Sequence, residues 1–423
     1  MKQNVVEGRI LVLTNNRTLQ GGTMKDAVIV EAVRTPVGNH GGALRTLRAQ
    51  DLLTLVFKGV LERTKIDPAS IDEVIAGCIA QPSDAPNITR VSALFAGIPK
   101  EVPALTVARN CNSGMDAIIE AWRRIQLDEG HIYLVGGVES MSNIPYIIKD
   151  ARWGLKLRHS QLTDALWEGL TDPVCGQLMG RTAENLVDEF EITRQQQDEF
   201  AVQSHKKAFA ATRMGKFKDE IVPVEIVKKV AGQEVAREQI SQDETINAGL
   251  SVQKAALYPA IFKEGGSVTP ANACGISDGA SAMLIMSAEK AKELGYAPLA
   301  AIRGYGFAGV EPERMGIAPA YATPKALEKA GLKLADIDLI EINEAFAAQV
   351  LACGRVLQWD WNKVNVNGGA IALGHPVGSS GCRIVVTLVH EMKRRHARYG
   401  LATLCAAGGQ GAALVVEGVN GQG

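Results

Sequence analysis

The 423-residue chain has no excess of either charge: 45 Lys and Arg stand against 46 Asp and Glu, for a formal net charge of −1. Such a balance gives no reason to expect nucleic acid or an anionic membrane as partner. Long apolar runs are also missing, and nothing approaches the roughly 20 residues that span a bilayer. The opening stretch "MKQNVVEGRILVLTNNRTLQGGT" has a short apolar core at Ile10–Leu13 and neither a signal-peptide nor a transit-peptide pattern. Cysteines number seven, scattered at 78, 111, 175, 274, 353, 382 and 405, with no CxxC. An odd, dispersed set argues against a disulfide framework and against a zinc site, so a cysteine that matters here matters as a thiol. The expectation is a cytoplasmic protein.

What is present is ordinary globular composition, 46% hydrophobic and 22% charged, in a chain long enough for two or three domains. It also repeats itself. "DPASIDEVIAGCI" (67–79) and "KLADIDLIEINEA" (333–345) each run from a polar entry through Ile-Asp into an apolar strand. Helical patterns precede both, "LLTLVFKGVLERTKI" and "TPKALEKAGLKL". "ALTVARNCNSGMDAIIEAWRRIQLDEGHIYLVGG" (104–137) and "KVNVNGGAIALGHPVGSSGCRIVVTLVHEMKRRHARYGLATLCAAGG" (363–409) then share the order strand, small-residue turn, helix, glycine, strand, Gly-Gly. The spacing predicts two copies of one α/β unit, with sheets covered by helices. The first copy takes in residues 24–142 and 277–297, and the second 298–423. Between them, 143–276 reads as an inserted, charge-richer domain in which Thr193 is the N-cap of "RQQQDEFAVQSHKKAF". Residues 1–23 lie outside the repeat, either as a start-site extension ahead of Met24 or as a loosely held arm.

Two matched turns hold the chemistry. Cys111 sits just before "NSGMDAIIEAW", at a predicted helix N-terminus. One reading is a small buried hydrophobe, the common fate of free cysteine. The other is a nucleophile whose pKa falls below the ordinary value of about 8.5, because free N–H groups and the helix dipole favour a thiolate. The equivalent turn of the second copy, "NGGAIALGHPVGSSG" (367–381), carries His375. Alone it reads as a satisfied or surface histidine; pseudo-symmetry would set it against Cys111 as a base for a nucleophile. Cys405 ends the last strand before a Gly-rich turn and reads by itself as core. In "EINEAFAAQVLA", Asn343 and Glu344 are either an N-cap with a first-turn acid or an amide and a carboxylate facing one cleft.

Together "RNCNSGMDAI", "GGVESMSNIPY", "MGRTAEN", "INEAFA", "NGGAIALGHPVGSSG" and "LCAAGGQGAA" occur in the order of the thiolase family, acyl-CoA C-acyltransferases, and the chain resembles that family from about 24 to 420. The resemblance implies two pseudo-symmetric βαβαβαββ halves forming an αβαβα layered core, plus an inserted loop domain. It also implies that Cys111 takes up an acyl group, that His375 is its base, and that Cys405 is the acid/base at the substrate α-carbon. Asn343 holds a water of one oxyanion hole, and the Cys111 N–H contributes to a second. Coenzyme A enters as co-substrate, with no bound cofactor and no metal. Met179, Phe262 and Cys274 line its pantetheine tunnel with Phe346 nearby. The family commonly has Ser at Cys274 and Gly at Ala407. Short-chain members have His at Leu178, so the leucine implies tolerance of longer or more apolar acyl groups. Acyl-CoA and CoA are the implied partners, in a homotetramer or else a homodimer. Condensing enzymes of the same superfamily have a second histidine where "INEAFA" stands, and this chain has none. A non-catalytic, thiolase-like acyl-CoA-binding protein is the alternative from another class.

Overall fold

The computed structural model describes residues 25–419, apart from 156, 158, 231 and 232. The leader 1–23 lies outside the described residues. The first half runs β1 (Ala27–Arg34), α1 (Ala49–Thr64), β2 (Glu73–Gly77), α2 (Ile88–Phe95), β3 (Ala104–Val107), α3 (Ser113–Leu127) and β4 (Ile132–Ser140). The intervening segment supplies α4 (Met179–Glu189), α5 (Arg194–Arg213) and an antiparallel ribbon, Val224–Val230 with Gln233–Ile240. Strand β5 (Ser277–Ser287) then returns to pair with β4 and β1. The second half follows as β6 (Ala300–Gly309), α6 (Ala318–Ala330), β7 (Leu339–Ile342), α7 (Ala347–Leu357), α8 (Val377–Arg395), β8 (Tyr399–Ala406) and β9 (Gln410–Gly418).

The nine strands form one path, β7-β8-β9-β6-β1-β5-β4-β2-β3. Read outward from its middle, each half has an antiparallel inner part and a parallel outer part. The halves are stitched where β1 meets β6, through Val28↔Ala301 and Ile29↔Ala300. Pleat alternation then makes layers. Along β5, Leu284 faces an outer core with Leu52, Val56 and Phe57 of α1, while Met283 and Ile285 face the middle. Along β9, Leu414 and Val416 face the middle, and Ala413 and Val415 face Ala326 and Leu327 of α6. Helices α3 and α8 fill the middle layer with Met115, Ile118, Trp122, Ile384, Leu388 and Val389. Each such side chain taken out of water is worth roughly 1.5–3 kcal/mol. The layer order is therefore helix, sheet, helix, sheet, helix, as the family resemblance implies.

Local rules hold at α5, where Thr193 caps the helix and Gln196 completes a capping box. They fail at two places. "KVNV" was expected as the counterpart of β3, yet only Val364 bridges to Ile340. Trp361–Lys363 is a 3₁₀ turn capped by Asp360, and the Asn365 side chain takes over both backbone groups of Ile342, at 2.8 and 2.9 Å. Helix α7 starts at Ala347, not at Asn343, because Ala345–Ala347 is drawn into extended pairing with Asn272–Cys274. Asn343 is consequently not an N-cap.

Candidate active site

Helices α3 and α8 start in contact because both carry glycine where they cross. A Cβ on Gly114 would lie 2.7 Å from the Cys382 nitrogen, and one on Gly381 would lie 2.5 Å from the Met115 nitrogen. Only glycine permits that approach. Cys111 and His375, each just ahead of its helix, are thereby brought to the same end of the middle layer. Asn110 ties the first loop to the end of the second half, its Nδ2 donating to the Ala407 carbonyl at 2.8 Å. The Gly408 N–H donates to Asp172 Oδ2 at 2.9 Å, fastening the intervening segment to the same place.

His375 is buried, and its Nδ1 lies 2.5 Å from Ser380 Oγ. That hydroxyl gives its proton to the Pro376 carbonyl at 2.9 Å. It therefore accepts from Nδ1–H, and this assignment leaves Nε2 with the lone pair. Nε2 stands 3.5 Å from Asn343 Nδ2. Asn343 follows β7 and keeps its ladder through Asn343 N–H to the Thr403 carbonyl at 3.0 Å. It is wholly buried, and its Oδ1 has no hydrogen-bond partner among the described residues. Such an acceptor in a polar niche is where a buried water belongs.

Cys405 lies on β8 in a small apolar cluster with Phe346, Met315 and Ala183, against which Met179 and Phe262 pack. The Phe262 and Phe346 rings meet edge to face at 6.3 Å. Cys274 donates its N–H to the Ala345 carbonyl at 3.0 Å, one residue before Phe346. Burial pushes the Cys274 thiol up to about 12 and holds Cys405 well above the ordinary thiol range, and the neighbouring Cys111 raises both further. Three thiols thus share one site. Leu178 is half-buried at the N-cap of α4, outside this cluster.

The thiolate expected at Cys111 is not the resting form. Burial pushes its pKa up to about 11, against the pull of the Ala407 and Cys111 N–H groups. Burial, with Arg383 adding to it, pushes His375 down to about 3. The pair rests as a neutral thiol and a neutral imidazole. The two N–H groups favour the thiolate, but the desolvation of a sulfur anion outweighs them. Glu344 also departs from the cleft-facing reading. Its oxygens are taken by Ser204 (2.6 Å), Asn365 (2.7 Å) and the Ile371 N–H (3.2 Å).

Comparison with known proteins gives the family. Residues 27–289 match the model "Thiolase, N-terminal domain" and 296–418 match "Thiolase, C-terminal domain". The chain belongs to the thiolase family. It is 48% identical to a probable acetyl-CoA acetyltransferase of Escherichia coli, over 93% of this chain and 99% of that one. The crystal structure of the Bacillus anthracis acetyl-CoA acetyltransferase superposes with a TM-score of 0.91 at 46% identity, covering 94% and 99% of the two chains. Human mitochondrial 3-ketoacyl-CoA thiolase in complex with CoA gives 0.89 at 42% identity, covering 93% and 98%.

This thiolase holds its site with residues that sequence reasoning passed over. Ser380 orients His375, and its only signal was a hydroxyl five residues after the histidine. Glu139 is fully buried and accepts the N–H groups of Ile79, Ala80 and Gly378 at 3.2, 3.0 and 3.0 Å, pinning the start of α8 to the end of β2. Arg383, buried one turn beyond Ser380, had no signal. No helix among the described residues is long and apolar enough to cross a membrane.

Proposed function

We propose that this acyl-CoA C-acyltransferase makes or cleaves the C–C bond of a 3-oxoacyl-CoA with four groups in fixed roles. In the cleavage direction the Cys111 thiol gives its proton to His375 Nε2 and attacks the 3-oxo carbonyl. That oxyanion is met by the Cys111 and Ala407 N–H groups, and the enolate oxygen that forms on the departing acetyl-CoA is met by the His375–Asn343 pair and the water it holds. The C2–C3 bond breaks, and Cys405 protonates the departing α-carbon to release acetyl-CoA. The incoming CoA thiol returns a proton to the Cys405 thiolate and attacks the Cys111 thioester. The Cys111 N–H and the Ala407 N–H, which converge on the sulfur, serve that second oxyanion. Cys111 leaves as a thiolate and is reprotonated by the imidazolium. Protons and thioesters balance over the cycle without a bound cofactor.

The observation that carries this reading is the close crossing of α3 and α8, just ahead of which Cys111 and His375 stand in matching turns, with the buried thiol Cys405 near Cys111. Met179, Phe262, Cys274 and Phe346 are proposed to line the pantetheine path, since Phe346 belongs to the cluster that holds Cys405 and Met179 and Phe262 pack on it. Leu178 is proposed to tune acyl length from the start of α4. We assign the folding units as 24–142 with 277–297, 143–276, and 298–423, in a cytoplasmic homotetramer with a homodimer as the alternative assembly. All seven cysteines being free supports the compartment, and the exposed Trp153, Leu157 and Trp167 of the intervening segment support the assembly.

The test is CoA-dependent loss of the 3-oxoacyl thioester with acetoacetyl-CoA and with 3-oxooctanoyl-CoA. Turnover on either supports the reading, and the ratio reports on Leu178. No turnover at any chain length, with Cys111 open to alkylation, would instead mark an acyl-CoA-binding protein.

A further inference from the structure

Arg383 is 1% exposed, and Nε, Nη1 and Nη2 all have no hydrogen-bond partner among the described residues. A buried guanidinium carries five donors that must be satisfied. Two complementary acceptors share its surroundings. Glu341 on β7 is 2% exposed with Oε2 unpartnered, and Glu220 is fully buried with Oε2 unpartnered. Thr387, one turn beyond Arg383 on α8, donates to the other Glu220 oxygen at 3.1 Å, so this carboxylate lies along the same helix. Arg34 from β1 holds that same oxygen at 2.6 Å and pairs with Asp243 at 2.6 Å. No hydrogen bond joins Arg383 to Glu341 or Glu220.

The place of this group matters more than its oddity. Arg383 stands three residues after Ser380, which holds His375 Nδ1. Glu341 stands two residues before Asn343, along a ladder that continues through Asn343 N–H. The charged residue thus backs both members of the His375–Asn343 pair. We infer that Arg383, Glu341 and Glu220 enclose ordered water behind that pair, and that Arg383 is a positioning residue, joined through the water to both carboxylates, whose charge opposes a second positive charge on the imidazole. Waters that each satisfy two or more orphaned polar groups are a regular part of protein interiors.

The electrostatics agree. The charged group bearing on His375 is Arg383, and it lowers the imidazole further than burial alone. Arg383 itself faces Glu341, Arg34, Glu220 and Asp243. Glu341, pushed up to about 8 chiefly by burial, also faces Glu344, Glu220 and Glu391. A base that must take a proton from Cys111 gains from being kept empty at rest.

This inference rests on the catalytic reading above, and its test separates the two. The pH profile of Cys111 acylation by acetyl-CoA, followed by intact mass, is measured for the unaltered enzyme, Arg383→Gln and Arg383→Lys. Unaltered enzyme that fails to acylate sinks the catalytic reading and leaves the water untouched. If it acylates, Arg383→Gln is expected to move the acid limb up by about one pH unit, a tenfold loss at its foot, while Arg383→Lys keeps the limb in place. An unmoved limb in a folded Arg383→Gln overturns the role. A high-resolution crystal structure of the unaltered protein decides the rest whether or not that variant folds. Water bridging the guanidinium to Glu341 is expected, and a dry gap there overturns the inference.

Discussion

Replacing Ser380 by alanine isolates one hydrogen bond of the proposed mechanism. The hydroxyl lies 2.5 Å from His375 Nδ1 and spends its own proton on the Pro376 carbonyl. That carbonyl loses little, because the Ser379 and Ser380 N–H groups already reach it at 3.0 and 2.9 Å. The imidazole loses its sole acceptor at Nδ1. A buried donor left unpaired costs about 1–3 kcal/mol. If the ring escapes by changing tautomer, Nε2 becomes the protonated nitrogen and the base is gone. If it stays, the cost falls on the oriented form that acylation uses. Either way kcat for CoA-dependent cleavage should fall by about 5- to 150-fold, the rate equivalent of that energy. KM for CoA should move far less, since Ser380 is not among the pantetheine residues. The assay is steady-state cleavage of acetoacetyl-CoA together with the rate of Cys111 acylation by mass, each against a urea unfolding curve. A folded Ser380→Ala enzyme with kcat within about twofold of the parent would refute the reasoning, because the tautomer assignment requires this bond.

Three further outcomes follow from separate parts of the molecule. Cys405→Ser should still acylate Cys111 from acetyl-CoA yet lose carbon–carbon bond formation by about two orders of magnitude or more, as expected for removal of an acid/base group; equal loss of both steps would contradict the assigned role. Asp243→Ala strips the buried Arg34 of a partner held at 2.6 Å and should destabilise the fold by about 3–5 kcal/mol in urea titration. His205 accepts the Asn247 N–H at 3.1 Å, and burial pushes its pKa down to about 4 from 6.5. The unfolded chain therefore binds the proton first, so this histidine's contribution is whole above pH 6.5 and drains as pH falls toward 4. Relative to His205→Gln, the parent should lose about 1.4 kcal/mol more per pH unit across that window.

How far the site could be read from sequence depends on which interactions are local. The repeat was legible because each half writes the same alternation of apolar strands and amphipathic helices, and pleat and helix periods carry over directly into layers. The positions of Cys111 and His375 just ahead of α3 and α8 were legible because the two turns match. Their protonation states were not. A sequence shows the helix terminus that favours an anion, but not the desolvation that opposes it, and here the second effect is larger. The expected strand at "KVNV" failed for a related reason: Asn365 substitutes its side chain for a ladder partner, which no strand propensity encodes. Helix α7 started late because Asn272–Cys274, some 70 residues earlier, claims the backbone that would have begun it.

Ser380, Glu139 and Arg383 went unread because polar residues inside an apolar pattern carry no local mark of what they will face. Ser380 meets its own turn, but Glu139 joins the residues after β2 to the start of α8, and Arg383 faces β7 and the intervening segment, groups that only the fold assembles. Yet these residues decide whether the legible pair can work. Burial favours a neutral thiol at Cys111 and a neutral imidazole at His375, and the proposed mechanism needs a proton to cross between them. Ser380 fixes which nitrogen receives it, Glu139 fixes where the α8 start stands, and Arg383 opposes its arrival beforehand. In the proposed mechanism the two motif residues exchange the proton, and the side chains placed to bias that exchange have a meaning that exists only in three dimensions.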